Sequence, residues 1–241
     1  MIGPMIHQML RRDDLWRLVA EISRVDAAAA RPAARALEEG RVDGLLDSPM
    51  ALEAVRGQGG PPAPLPLTLL WYVPVRAALS KRGIPDIDLA DFTATLAVLF
   101  SAVSVSRRVA RGERALSAWS NSIDALPPGT VGRGERAAEC GALALWWAGC
   151  FPEAVQRRGG RGMVRAYVTF ASSAFELAAR TVAQRVPDTS AMYHRAAART
   201  EDLCGALSEA RADYLGPDAA DPARRLARFL ERFLDKGDVR H

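Results

Sequence analysis

Val164, Val168, Ala171, Phe175, Ala178 and Val182 recur in an unbroken 4-3-4-3-4 order. An α-helix, at 3.6 residues per turn, brings such residues onto one face, so Met163 to Gln184 reads as a long helix with one side buried. The same spacing returns along the chain. Leu15, Leu18, Val19 and Ile22 mark a helix over Pro4–Val25, and short helices follow up to Val55. Leu89, Phe92, Leu96, Leu99 and Val103 mark one that Asp88 caps and that ends near Arg111-Gly112. Helices are also expected over Glu113–Ile123 and Gly132–Cys150. Tyr193, Ala196, Leu203, Leu207, Ala210 and Tyr214 share one face of a helix over Thr189–Leu215. Leu226, Phe229, Leu230 and Phe233 belong to a last helix, opened by Asp221-Pro222. No segment alternates like a strand. Helices that each carry one apolar face bury it against one another. The expected fold is therefore all-α: a compact multi-helix bundle with an N-terminal helical appendage.

Prolines and glycines punctuate this pattern. Arg31-Pro32 reads as a break and restart. The run from Gly57 to Pro66, GQGGPPAPLP, sustains neither helix nor strand. It divides the chain into an N-terminal helical segment (1–56) that packs on the main body, a linker (57–66) and the main bundle (67–241). Pro74 lies inside the apolar stretch Leu67–Arg82. Proline removes a helix hydrogen bond, so two readings stand: the helix kinks at Pro74, or it starts there and Leu67–Val73 is extended.

A chain of 241 residues, about half of them apolar, buries a full core without disulfide or metal. This excludes disordered, collagen-like and disulfide-scaffold classes. All basic residues but Lys81 and Lys236 are arginine, and 32 basic against 28 acidic residues leave a net charge of only +4. That balance is mild for a nucleic-acid-binding domain, and no nucleic acid is expected. Cys140, Cys150 and Cys204 form no C-x-x-C pair and sit in apolar helical contexts, which fits a reducing compartment. The first residues lack the charge-then-apolar order of an export signal. Every apolar run is shorter than the ~20 residues of a membrane span. The expected location is cytoplasmic.

Motifs that carry chemistry are missing. The histidines are His7, His194 and His241, with no H-E-x-x-H or E-x-x-H, so neither a metal nor a cofactor is expected. There is no G-x-S-x-G, no dinucleotide fingerprint and no P-loop. Two constellations stand out instead. In the first, Trp146 and Trp147 lead to Phe151-Pro152-Glu153 and to a glycine-rich turn with Arg157, Arg158 and Arg161. Residues 151–185 hold six Arg and two Glu, a local charge of +4. Arginines beside a helix start can bind phosphate or carboxylate, with the tryptophans as walls. The plainer reading is a solvated turn with Glu153 paired to a nearby arginine. In the second, Tyr72 and Arg76 share a helix face at i,i+4, and Asp91 lies across a short turn. The plainer reading is an Arg76–Asp91 bridge locking two helices; the sharper one is a polar pocket. Tyr167, Phe175 and Glu176, and Tyr193, His194 and Arg195, read as ordinary core and surface.

Two stretches resemble a group of uncharacterised bacterial helical proteins. One is Tyr72-Val73-Pro74-Val75-Arg76-Ala77-Ala78-Leu79 with Gly83-Ile84 and Leu89-Ala90-Asp91-Phe92. The other is Leu145–Glu153 with Arg157-Arg158-Gly159, Tyr167 and Ala174-Phe175. Together they span roughly residues 67–180. The chain departs from the group's pattern at Pro74, Phe92 and Phe175, where the group carries an aliphatic residue, Tyr and Tyr. The resemblance implies an all-α fold and no reaction.

Three functions are compatible with these residues. The first is an interaction or accessory protein without catalysis, associating with a protein partner or with itself as a homodimer, which calls for a large exposed apolar patch. The second is a binder of a small anionic or amphipathic ligand at Arg157, Arg158 and Arg161. The third is an enzyme whose site gathers Tyr72, Arg76, Asp91 and Glu153 from distant helices.

Overall fold

A computed structural model describes residues 2–57, 65–102 and 115–215. Among the described residues are thirteen helices and no strand. They are α1 (Ile6–Met9), α2 (Arg12–Val25), α3 (Ala27–Glu38), α4 (Val42–Leu46), α5 (Pro49–Val55), α6 (Leu67–Lys81) and α7 (Ile87–Ala102), then α8 (Ala115–Asp124), α9 (Val131–Cys150), α10 (Pro152–Gly159), α11 (Met163–Val182), α12 (Pro187–Ala198) and α13 (Thr200–Leu215). The all-α bundle expected from the periodicity is the observed fold. Most of the Gly/Pro-rich run (58–64), the expected helix end near Arg111-Gly112 and the expected last helix lie outside the described residues.

One hydrophobic cluster runs through the described helices, from Ile6 in α1 to Ala210 in α13. Leu18, Ile22, Leu45 and Leu46 of the N-terminal helices belong to it. At its centre Trp71 of α6 meets Trp146 of α9 edge to face, with ring centroids 5.5 Å apart, and Trp146 meets Phe151 at 5.8 Å. Phe92, Phe175 and Tyr193 join α7, α11 and α12 in a second aromatic contact. Edge-to-face rings gain from the opposed signs of ring edge and ring face, beyond the area they bury.

Helix α9 packs against α11 on one side and α13 on another, and its glycines set the distance. A Cβ on Gly141 would stand 3.1 Å from the Ala174 Cβ and 3.3 Å from the Ala171 carbonyl oxygen. A Cβ on Gly149 would stand 2.6 Å from the Leu207 Cβ and 3.1 Å from the Cys204 carbonyl oxygen. Gly149→Ala therefore forces α13 away from α9. We expect it to cost about 1–3 kcal/mol in urea unfolding despite alanine's better helix propensity. Gly132→Ala, with nothing within 4 Å of the new Cβ, should lose nothing. Equal stabilities for the two variants would contradict this packing.

Several boundaries differ from those the sequence suggests. The expected first helix is two, α1 and α2, parted at Leu10. Pro32 sits inside a continuous α3. Pro74 neither starts a helix nor leaves Leu67–Val73 extended: α6 runs through it. Nearly every residue from Thr68 to Leu79 is buried, so packing on all sides outweighs the one hydrogen bond that Pro74 removes from the Leu70 carbonyl. Asp86, not Asp88, caps α7, its Oδ1 accepting from Leu89 N at 3.0 Å. Asp88 pairs with Arg195 instead, at 2.8 Å. The expected helix over Thr189–Leu215 breaks at Arg199 (φ −117°, ψ 16°). There the Thr200 hydroxyl donates to the Ala196 and Ala197 carbonyls at 2.8 and 3.0 Å, and the Ser172 hydroxyl donates to Ala197 O at 2.9 Å. Hydroxyls thus take carbonyls that the next helical turn would use.

Candidate functional site: two charged clusters

Helix α6 presents Tyr72 and Arg76 on one face, as the i,i+4 spacing requires, and both are buried. The Arg76 Nη1 donates to the Tyr72 hydroxyl at 3.1 Å. Arg76 does not pair with Asp91, the partner the sequence suggests. The guanidinium faces α4, where Nε and Nη2 donate to the two Asp47 oxygens at 2.7 and 2.6 Å, and Nη1 donates to Asp43 Oδ1 at 2.7 Å. Burial works against the arginine's charge, but the Asp47 and Asp43 bonds outweigh it and hold its pKa above the ordinary value. Burial also pushes the Tyr72 phenol well up. The His7 ring stands edge-on to Tyr72 at 5.4 Å and places Nε2 3.6 Å from Asp43 Oδ1.

Asp91, 3% exposed, serves the backbone. Its Oδ1 accepts from Met5 N at 2.6 Å, Ile6 N at 2.8 Å and the Thr95 hydroxyl at 3.1 Å, and its Oδ2 accepts from His7 N at 2.9 Å. It holds the N–H groups at the start of α1, which the helix itself cannot satisfy. The Tyr193 hydroxyl donates to Ile2 O at 2.6 Å, and Ile6 is fully buried. The N-terminal strap is thus tied down by side chains from the main bundle.

The second cluster lies at the α9–α10–α11 corner. The segment read as a turn is largely helix α10, and only residues 160–162 separate it from α11. Gly160 at φ +85° makes the reversal, a conformation open to glycine. Trp146, 1% exposed, is core and walls no surface pocket. Trp147 is half-buried, tilted on Phe151 at 5.2 Å. Consecutive helical residues point about 100° apart, which explains the split. Glu153 pairs with Arg211 of α13, not with a neighbouring arginine: Nη1 and Nη2 donate to its two oxygens, each at 2.8 Å, and Nη1 also donates to Cys150 O at 2.9 Å. Arg157 and Arg161 are exposed. The Arg158 backbone belongs to α10, and its side chain lies outside the described residues.

The Arg211 hydrogen bonds hold the Glu153 pKa below its ordinary value; burial opposes them, and Arg157 adds a smaller pull in the same direction. A lowered carboxylate pKa adds stability above the unfolded value and loses it as pH falls through the folded one. The wild type should therefore lose thermal stability between about pH 5 and pH 3 more steeply than Glu153→Gln. Parallel melting curves over that range would contradict the tie.

The two clusters do not converge. Tyr72 and Arg76 meet, Asp91 sits nearby on other partners, and Glu153 is bound elsewhere. A cleft of about 180 Å³ lies between α5, α6 and α13, lined by Leu52, Arg56, Pro74, Ala77, Ala78, Lys81, Glu209 and Ala212, none of them an expected site residue. The thiols are held protonated: burial raises Cys140 and Cys150 and pushes Cys204 up to about 11. No group of three or more potential metal ligands occurs among the described residues, and no helix there is long and apolar enough to cross a membrane. Sequence reasoning missed His7, Asp43, Asp47, Thr95 and Arg211. Only the i,i+4 spacing of Asp43 and Asp47 carried a signal, since it places both on one face of a short helix.

No protein-family model, no curated protein and no solved structure matches the chain.

Proposed function

We propose that the chain is an interaction protein without catalysis. One observation carries this reading: the buried charged groups best placed for chemistry are occupied within the fold. Four of the five Arg76 N–H donors are engaged by Asp47, Asp43 and Tyr72. Both Asp91 oxygens receive N–H groups of the strap, and both Glu153 oxygens face Arg211. Charges held this way set the geometry of helices.

The contact surface differs from the apolar patch that the sequence reading called for. Among the described residues the exposed large hydrophobics are Met5, Met9 and Ile87, too few for such a patch. Tagged protein purified from its own cells, sized by light scattering, tests the proposal. The expected species is a stoichiometric complex or homo-oligomer heavier than the 26.0 kDa chain. A bare monomer would contradict it.

A further inference from the structure

We propose that the N-terminal strap and the first turn of α7 form a contact surface for a second copy of this chain. This rests on the interaction reading above and names its partner and its site. Met5, Met9 and Ile87, the exposed large hydrophobics among the described residues, all lie here. Met9 N donates to Met5 O at 3.1 Å, so the two methionines stand one helical turn apart. Ile87 and Asp91 share a face of α7 at i,i+4, with Cβ atoms about 6 Å apart. Since Asp91 Oδ1 accepts from Met5 N at 2.6 Å, Ile87 lies within about 11 Å of the Met5 backbone. The strap accounts for the exposure of Ile87. It covers this face of α7 at Asp91 and Thr95, where Met5 N donates to both, and leaves Ile87, one turn earlier, in water. Half-buried Ile2, Pro4 and Leu10 of the strap widen the apolar area.

The fold does not call for these side chains. Backbone N–H groups of the strap, the Ile2 carbonyl and the Ile6 side chain tie it to the bundle. Polar residues at 5, 9 and 87 would serve those ties equally. Scattered exposed hydrophobics are ordinary, whereas gathered ones point to a contact. A surface that joins its own copy across a twofold axis is its own complement. Apolar side chains meet that condition by meeting one another. The charges at the rim meet it because both signs are present. Arg12 and Asp13, three and four residues beyond Met9, are exposed, and neither has an opposite charge within 4.0 Å among the described residues. Across a twofold axis Arg12 of each copy can face Asp13 of the other. A partner surface of one sign would attract one of the two and repel the other.

Light scattering of the purified full chain over a range of concentrations tests this. The wild type should pass from the mass of one 26.0 kDa chain towards that of a dimer as concentration rises. Met9→Glu/Ile87→Glu places like charges at the contact and should raise the concentration of half-association at least about tenfold. Met9→Leu/Ile87→Leu should keep the association. The replaced side chains are exposed, so urea unfolding of the variants in dilute solution should match the wild type. Met9→Gln/Ile87→Gln adds no charge and should weaken association in the same direction, which keeps the test decisive if the glutamates disturb folding. A wild type that stays monomeric up to about 1 mM, the weak end of specific association, would overturn the proposal. So would association unchanged in the glutamate and glutamine variants, or a complex from its own cells that holds one copy of this chain with a different protein. A heavier species from its own cells that survives Met9→Glu/Ile87→Glu would overturn this surface and leave the interaction reading standing. A bare monomer there would remove the reading itself.

Discussion

Replacing Asp91 by alanine should destabilise the protein by about 3–5 kcal/mol, the largest loss expected from any single side chain described above. The carboxylate is 3% exposed and accepts from three successive backbone N–H groups and one hydroxyl. Alanine leaves those N–H groups without their acceptor beside a small cavity, and the strap that carries fully buried Ile6 loses its anchor. Asp91→Asn keeps the shape but sets an amide N–H₂ against one of the donors, so it should fall between wild type and alanine. Urea unfolding gives the magnitude. Hydrogen exchange at Met5, Ile6 and His7 shows whether the strap leaves first. A loss below about 1 kcal/mol would mean that water replaces the carboxylate and that the strap is not anchored there.

The second large effect is an asymmetry at Arg76. Asp43→Asn with Asp47→Asn leaves a guanidinium 5% exposed without a counter-charge and should cost about 3–5 kcal/mol. Arg76→Met removes the charge, fills much of the same space and leaves two carboxylates that are each about half exposed. Water can solvate them, so about 1–2 kcal/mol is expected. Urea unfolding of both variants decides the order. The reverse order would show that the arginine is less sheltered than its burial indicates.

The parts of the fold that sequence exposed are those set by local spacing. The face of α11 was visible because Val164 to Val182 keeps its phase for five turns. The break at Arg199 was hidden because Ala196 and Leu203 stay in phase across it, and the hydroxyls that make the break come partly from Ser172 on another helix. Proline at 74 suggested an interruption, yet burial on all sides of α6 carries the helix through. The candidate site divides the same way. Tyr72 and Arg76 were readable as a pair at i,i+4. Asp43 and Asp47 lie 33 and 29 residues from Arg76, and no periodicity links them. Asp91 binds backbone N–H groups, which have no residue signature, so the sequence suggests Arg76 across the short turn as its partner instead. For Glu153 the sequence suggests a nearby arginine, whereas Arg211 reaches it from 58 residues away, a separation that no periodicity spans.

Buried charges that serve the fold, and a protein partner bound at the surface, are the two halves of the proposal. Native mass spectrometry of the chain from its own cells, under gentle and then activating conditions, tests it most directly, because it reports subunits and retained small molecules together. The account predicts a second protein chain on the wild type. A retained small molecule without a second chain, or a bare 26.0 kDa monomer, would contradict it.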